Sequence, residues 1–303
     1  MENLVDVDDL SRRDIEEIYS RTEEMKRSPE SFESSLENRT LLMMFEKPST
    51  RTRVSFESGM TQLGGHAIFF HTKRSQMSRG EEISDTSKVL SRYCDAVMAR
   101  MYSHDKLVEL SESSSIPVIN GLTDLLHPCQ AISDFFTMKE KGVDLSTAKV
   151  VYVGDGNNMA HSLMQTAAKL GVDFYNASPE EYMPENSIVD KAEAEASKKG
   201  SELVVTEDVE KAVKDADVVY TDVWASMGDE DSEERKRALK PYQVNKKLLE
   251  TADPDVKVMH CLPAHRGEEI TSEVMDGDHS IVFDQAENRM HVQKAILEIL
   301  INS

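Results

Sequence analysis

The sequence predicts an α/β protein of two domains, each a parallel β-sheet flanked by helices. Three observations predict it. Short apolar runs rich in β-branched or aromatic residues alternate with helical patterns along the whole chain, as repeated βαβ units require. At 303 residues the chain exceeds the size at which one hydrophobic core usually keeps growing. The periodicity breaks near residues 140–147, where KGVDLSTA sets a glycine among polar residues, so the domain boundary is placed there.

Taken in order, DDLSRRDIEEIYSRTEEMKR carries Ile15, Ile18, Tyr19 and Met25 at helical spacing, the stripe that seats a helix on a sheet. LLMMF (41–45), AIFF (67–70), AVMAR (96–100) and PVIN (117–120) are the strands expected in the first half. Helices are expected between them near 51–63, 80–93 and 105–113, and then over 128–140. In the second half KVVYVG, VDFYNA, LVVT, DVVYTDVW and KVMHCLP are expected strands, separated by helices near 158–170, 187–199, 208–215 and 242–252. The tail shows a helical pattern from about Arg289 to Ile301. The charge run GDEDSEERKRALK (228–240) is expected to be a solvated loop, with a movable lid over residues 226–240 as the sharper alternative.

Composition excludes several classes. A formal net charge of -21 disfavours broad contact with nucleic acid or an anionic membrane. No run of about eighteen apolar residues occurs, and MENLVDVDDL lacks the basic-then-apolar pattern of an export signal, so a cytoplasmic location is expected. Cys94, Cys129 and Cys261 are odd in number and without metal-ligand spacing, which argues against a disulfide framework and a zinc site.

Against that acidity, FEKPSTRTR (45–53) gathers Lys47, Arg51 and Arg53 with Ser49, Thr50 and Thr52. Pro48 cannot continue the strand, and Ser49 or Thr50 is a good N-cap, so a helix begins amid STRTR. Helix-start N–H groups, hydroxyls and a guanidinium can enclose a tetrahedral oxyanion such as phosphate. Open parallel sheets bind ligands at the carboxyl ends of their strands. Arg100 closes AVMAR, and His127 and Gln130 follow PVIN one helical turn apart. Together they offer donors for a carbonyl oxygen and an amide, as acyl-type transfer needs.

VVYVGDGNNMAHS (150–162) fits GxG at Gly154 and Gly156, but Met159 stands where a dinucleotide fingerprint needs its third glycine. Asn158 either holds a carboxylate or caps a helix. Asp222 ends a strand and leads to Ser226 and Met227, and HCLPAHRG (260–267) sets Cys261 at a strand end, where nearby charge could tune its thiol.

STRTR, HPCQ, DVWASMG, HCLP and AENR, in this order over essentially the whole chain, resemble the ornithine branch of the aspartate/ornithine carbamoyltransferase family. STRTR, HPxQ and AENR speak for carbamoyl phosphate; SMG with HCLP selects ornithine over aspartate. The resemblance implies a carbamoyl phosphate pocket of Ser49, Thr50, Arg51, Thr52, Arg100, His127, Gln130, Cys261, Leu262 and Arg289, with Gln76 contributed to the neighbouring subunit's site. The ornithine side maps to Asn158, Asp222, Ser226 and Met227. Asp222, Cys261, Arg100 and His127 are the implied catalytic residues, with the proton handled by either Asp222 or Cys261. Lys47 and Arg53 are assigned supporting charge.

The family's architecture implies a carbamoyl phosphate domain over 1–140, completed by a C-terminal helix at 289–303, and an ornithine domain over 147–288. It implies a homotrimer or a multiple of it. The implied reaction moves the carbamoyl group of carbamoyl phosphate to the δ-amine of L-ornithine, giving L-citrulline and phosphate without metal or organic cofactor. Rival readings are a carbamoyltransferase for putrescine, acylated ornithine or aspartate, a nicotinamide-dependent dehydrogenase, and a silent paralogue acting in assembly.

Overall fold

Continuous apolar runs give strands buried on both faces, the pattern of parallel sheets covered by helices. The computed structural model describes residues 1–74, 80–224 and 232–303. Its contacts divide the chain into two units, Met1–Ser133 with Asn288–Ser303, and Asp134–Glu287.

In the first unit β1 (Thr40–Phe45), β2 (His66–His71), β3 (Ala96–Arg100) and β4 (Val118–Leu122) form a parallel sheet of order β2-β1-β3-β4. Strand order therefore reverses at β1 and β3, where an open sheet leaves a crevice beyond its strand ends. The β3–β4 register slips after Ala99, so that Arg100 pairs with Leu122 across the irregularity. Gly121 lies at that slip, where a Cβ would come within 2.3 Å of Met98 Sδ.

Helix α1 (Arg12–Arg27) opens on a Ser11/Asp14 capping box and buries Ile15, Ile18, Tyr19 and Met25. Helices α2 (Thr50–Gln62), α3 (Ile83–Leu90) and α4 (His104–Glu112) follow. The helix expected over 80–93 is shorter because Gly80 turns with φ 94° and Glu82 is extended. Leu42, Met44, Val97, Ala99, Leu107 and Leu110 pack as one core cluster.

The second unit holds β5 (Lys149–Val153), β6 (Asp173–Ala177), β7 (Leu203–Thr206), β8 (Val218–Thr221) and β9 (Lys257–His260) in the parallel order β7-β6-β5-β8-β9. The order reverses between β5 and β8, which places Gly154–Asn158 and Asp222 at the switch point. Its helices are α6 (Asn158–Leu170), α7 (Asn186–Lys199), α8 (Val209–Val213), α9 (Ser232–Leu239), α10 (Lys246–Leu249) and α11 (Ser272–Met275). Helices α5 (Pro128–Glu140) and α12 (Val282–Ile301) contain the two points of division.

Three expectations are corrected here. The helix expected over 242–252 is only α10, because Val244 is extended and pairs with Ile270, its N–H donating to the Glu269 carbonyl at 2.8 Å. Residues 232–239 of the charge run form α9 rather than a loop, anchored by Arg235 on Asp155 at 2.5 Å and Lys236 on Glu268 at 2.8 Å. The tail helix starts at Val282, seven residues before Arg289, because polar Gln285, Asn288 and Arg289 occupy its buried face and conceal the apolar period. Among the described residues no helix is long and apolar enough to cross a membrane.

Candidate active site

In the first unit Ser49, extended at φ -159° and ψ 113°, is the N-cap of α2, its Oγ accepting from the Thr52 N–H at 3.3 Å. The Thr50 and Arg51 N–H groups have no partner inside the helix by its geometry. Ser49 Oγ also donates to Thr52 Oγ1 at 3.0 Å. Arg289 Nη2 donates to the same Thr52 Oγ1, and its Nη1 donates to Gln130 Oε1 at 3.1 Å. Thr52, Gln130 and Arg289 are buried, whereas Thr50 and Arg51 are exposed at the helix start.

His127 is 4% exposed, directly before α5. Burial first, then the guanidinium groups of Arg289 and Arg100, hold its imidazole well below the usual value. A neutral ring can donate one N–H to a developing oxyanion while the arginines carry the charge. Burial pushes the neighbouring Cys129 thiol up to about 12, and it donates to the Asn120 carbonyl at 3.4 Å, an inert packing role. Lys47 pairs with Asp124 at 3.4 Å and lies over the Tyr102 ring, while Arg53 pairs with Glu57 at 2.9 Å and lies over the Phe69 ring.

In the second unit Asp222 follows β8 and is 6% exposed. Its Oδ1 accepts from the Cys261 thiol at 2.9 Å, and its Oδ2 accepts from Asn157 Nδ2 at 3.2 Å. Burial, followed by the Asp222 charge and the hydrogen bond to it, holds the Cys261 thiol well above its usual value. The thiol is thus a donor here, and Asp222 is the group with lone pairs to offer. Asp222, His260 and Cys261 bring potential metal-ligand atoms within 4.8 Å of one another. Both ring nitrogens of His260 are engaged, however, with the Leu262 N–H at 2.9 Å and with Glu269 at 3.0 Å.

Asn157, not Asn158, caps α6, its Oδ1 accepting from the Met159 and Ala160 N–H groups. Asn158 is the first residue of that helix. Asn157 was missed because the NN pair does not show which residue turns into the helix; its spacing before the Met159 helical run was the available signal. Gly156 has a packing reason unrelated to dinucleotides, since a Cβ there would approach the Pro184 nitrogen to 2.3 Å. Leu262 follows Cys261 with φ 60°. Gln76, Ser226 and Met227 lie outside the described residues.

Two family models match the chain in tandem: the aspartate/ornithine carbamoyltransferase carbamoyl-P binding domain over residues 2–140, and the Asp/Orn binding domain over 146–300. The chain belongs to the aspartate/ornithine carbamoyltransferase family. It is 52% identical over 303 residues to a catabolic ornithine carbamoyltransferase of Halobacterium salinarum, covering 100% of both chains. To an anabolic ornithine carbamoyltransferase of Pyrococcus furiosus it is 54% identical over 266 residues, covering 88% of this chain and 84% of that one. A solved ornithine carbamoyltransferase structure from Pyrococcus furiosus superposes with a TM-score of 0.96 at 49% identity, covering 100% of this chain and 97% of that one. Within the family the chain stands with the ornithine carbamoyltransferases, and it is a carbamoyl-transferring enzyme of two-domain α/β fold.

Proposed function

We propose that the chain transfers the carbamoyl group of carbamoyl phosphate to the δ-amine of L-ornithine, giving L-citrulline and phosphate, without a metal. One observation carries this reading: Ser49, Thr52, Gln130 and Arg289, from three separate segments, join in one hydrogen-bonded chain at a helix N-terminus. Such an array suits a phosphoryl oxyanion, with guanidinium charge in place of a metal ion.

The first unit binds carbamoyl phosphate. Ser49, Thr50 and Arg51 hold the phosphate, Thr52, Arg100 and neutral His127 take the charge that grows on the carbonyl oxygen, and Gln130 orients the carbamoyl NH2. The second unit binds ornithine through Asn158, Asp222, Ser226 and Met227. The neutral δ-amine attacks the carbamoyl carbon, the C–O bond to phosphate breaks, and the amine proton passes to Asp222. Cys261, protonated and donating to Asp222, orients that carboxylate and leaves it as the proton acceptor. Leu262 lends its carbonyl to the donor's NH2.

The resemblance supports a cytoplasmic homotrimer or a multiple of it, with Gln76 lent to a neighbour. Edge strand β2 leaves Ile68 and Phe69 40% and 38% exposed, surface that such an assembly would cover. The decisive assay measures citrulline and phosphate in equal amounts from carbamoyl phosphate and ornithine, with mass in solution. Faster product from putrescine, acylated ornithine or aspartate would overturn the acceptor assignment.

A further inference from the structure

The hydrogen bonds that the chain makes to Asp222 fall unevenly on its two oxygens. Oδ1 accepts from the Val223 N–H at 2.8 Å and from the Cys261 thiol at 2.9 Å. Oδ2 accepts, among the described residues, from Asn157 Nδ2 alone, at 3.2 Å. Each carboxylate oxygen offers two acceptor positions, so the open one lies on Oδ2, on the side that Asn157 holds.

The Asn157 amide can point only one way. Its Oδ1 accepts from the Met159 and Ala160 N–H groups at 2.8 and 3.4 Å, and from the Tyr152 hydroxyl at 3.3 Å. Turning the amide over would set its NH2 against both helix-start N–H groups, so Nδ2 faces Asp222. The frame behind it is buried. Tyr152 of β5 is 0% exposed and stacks on Tyr220 of β8, with ring centroids 5.9 Å apart. One side chain therefore both starts α6 and fixes the carboxylate at the end of β8.

We propose that Asn157 is a positioning residue for carbamoyl transfer, its Nδ2 holding Asp222 so that the open side of Oδ2 meets the attacking amine. This rests on the function proposed above. Asn157 itself takes no proton and needs no contact with substrate.

Three substitutions separate this role from capping. Asn157→Ser and Asn157→Asp keep an N-cap acceptor but remove the donor to Asp222, whereas Asn157→Ala removes both. The Ser variant should lose kcat by about 10- to 100-fold, the loss expected on deleting a hydrogen bond to a charged group. Its thermal midpoint and its KM for carbamoyl phosphate should stay near wild type. The Asp variant should lose at least as much, because it sets one carboxylate against another. The Ala variant should match Ser in kcat and also melt lower. Wild-type kcat in Ser and Asp, with a loss only in Ala, would reduce Asn157 to a cap and overturn the proposal. So would losses in Ser and Asp that merely follow a lowered thermal midpoint.

Alkylation of Cys261 by iodoacetamide, resolved by mass spectrometry, gives a reading that needs no turnover. Without Asn157 to hold it, Asp222 should release the Cys261 thiol part of the time, and the thiol should label several-fold faster in the Ser variant. Equal labelling in the Ser variant and wild type also overturns the proposal. A wild type that makes no citrulline, while labelling still differs, would fault the function proposed above and not the placing of Asp222 by Asn157.

Discussion

The Cys261 thiol donates a hydrogen bond to Asp222 Oδ1 at 2.9 Å, joining the ends of β9 and β8. Burial most of all, and then the Asp222 charge and this bond, raise the thiol's pKa. Asp222→Asn should therefore let Cys261 ionise at lower pH and alkylate faster near neutrality. As the assigned proton acceptor, its loss should reduce kcat with ornithine by about 10²–10⁴-fold. Binding of inorganic phosphate, measured by calorimetry, should stay within a factor of two or three of wild type, a change of about 0.6 kcal/mol or less. Loss of both would show that Asp222 belongs elsewhere.

Arg51 lies exposed in the first turn of α2, so its removal tests function with little effect on folding. Arg51→Ala should change stability by less than about 0.5 kcal/mol, as for other surface substitutions. Turnover should fall by at least about 10²–10³-fold, the usual effect of deleting a donor to transition-state charge. Steady-state kinetics decide it: a raised KM with kcat intact would contradict the role.

Arg289 is the opposite case, because its two terminal nitrogens serve two buried acceptors, Gln130 Oε1 and Thr52 Oγ1. A lysine has one nitrogen and no planar fork, so Arg289→Lys leaves one of the two acceptors without its donor. Unfolding in urea should show a loss of about 1–3 kcal/mol. Carbamoyl phosphate binding should weaken as well. A lysine variant as stable as wild type would mean that the fork contributes nothing to the fold.

How much of this was legible depended on where the signal lay. Strands such as LLMMF and AVMAR were plain because burial on both faces requires an uninterrupted apolar run, and β1 and β3 follow them closely. Short elements were lost wherever tertiary pairing overrode local pattern, as at Val244 beside Ile270. Polar residues buried in networks left no period to detect, which is why Gln285, Glu269 and the first half of α12 went unnoticed. Asn157 was misplaced by one residue, because composition cannot tell which asparagine of a pair turns out of the strand. The crowding of Arg51 with hydroxyls was visible in sequence, but the union of Thr52 with Arg289, 237 residues away, needed the fold.

His127 makes stability depend on pH in a definite direction. Burial, then Arg289 and Arg100, hold its folded-state pKa well below the usual 6.5, so the folded ring stays neutral where the unfolded one takes a proton. Below about pH 6.5 the unfolded state thus binds more protons than the folded state, and stability falls as pH falls toward the folded value. One such group contributes a slope of up to about 1.4 kcal/mol per pH unit. Its contribution is fully present above the unfolded pKa, so nothing is expected from it between about pH 7.5 and 9. His127→Gln removes the titration, and its urea midpoint should drop less than that of wild type between about pH 7 and 5.5. Equal drops in the two proteins would mean that the imidazole takes up its proton as readily in the folded chain as in the unfolded one. The neutral donor assigned to the carbamoyl oxygen would then be lost.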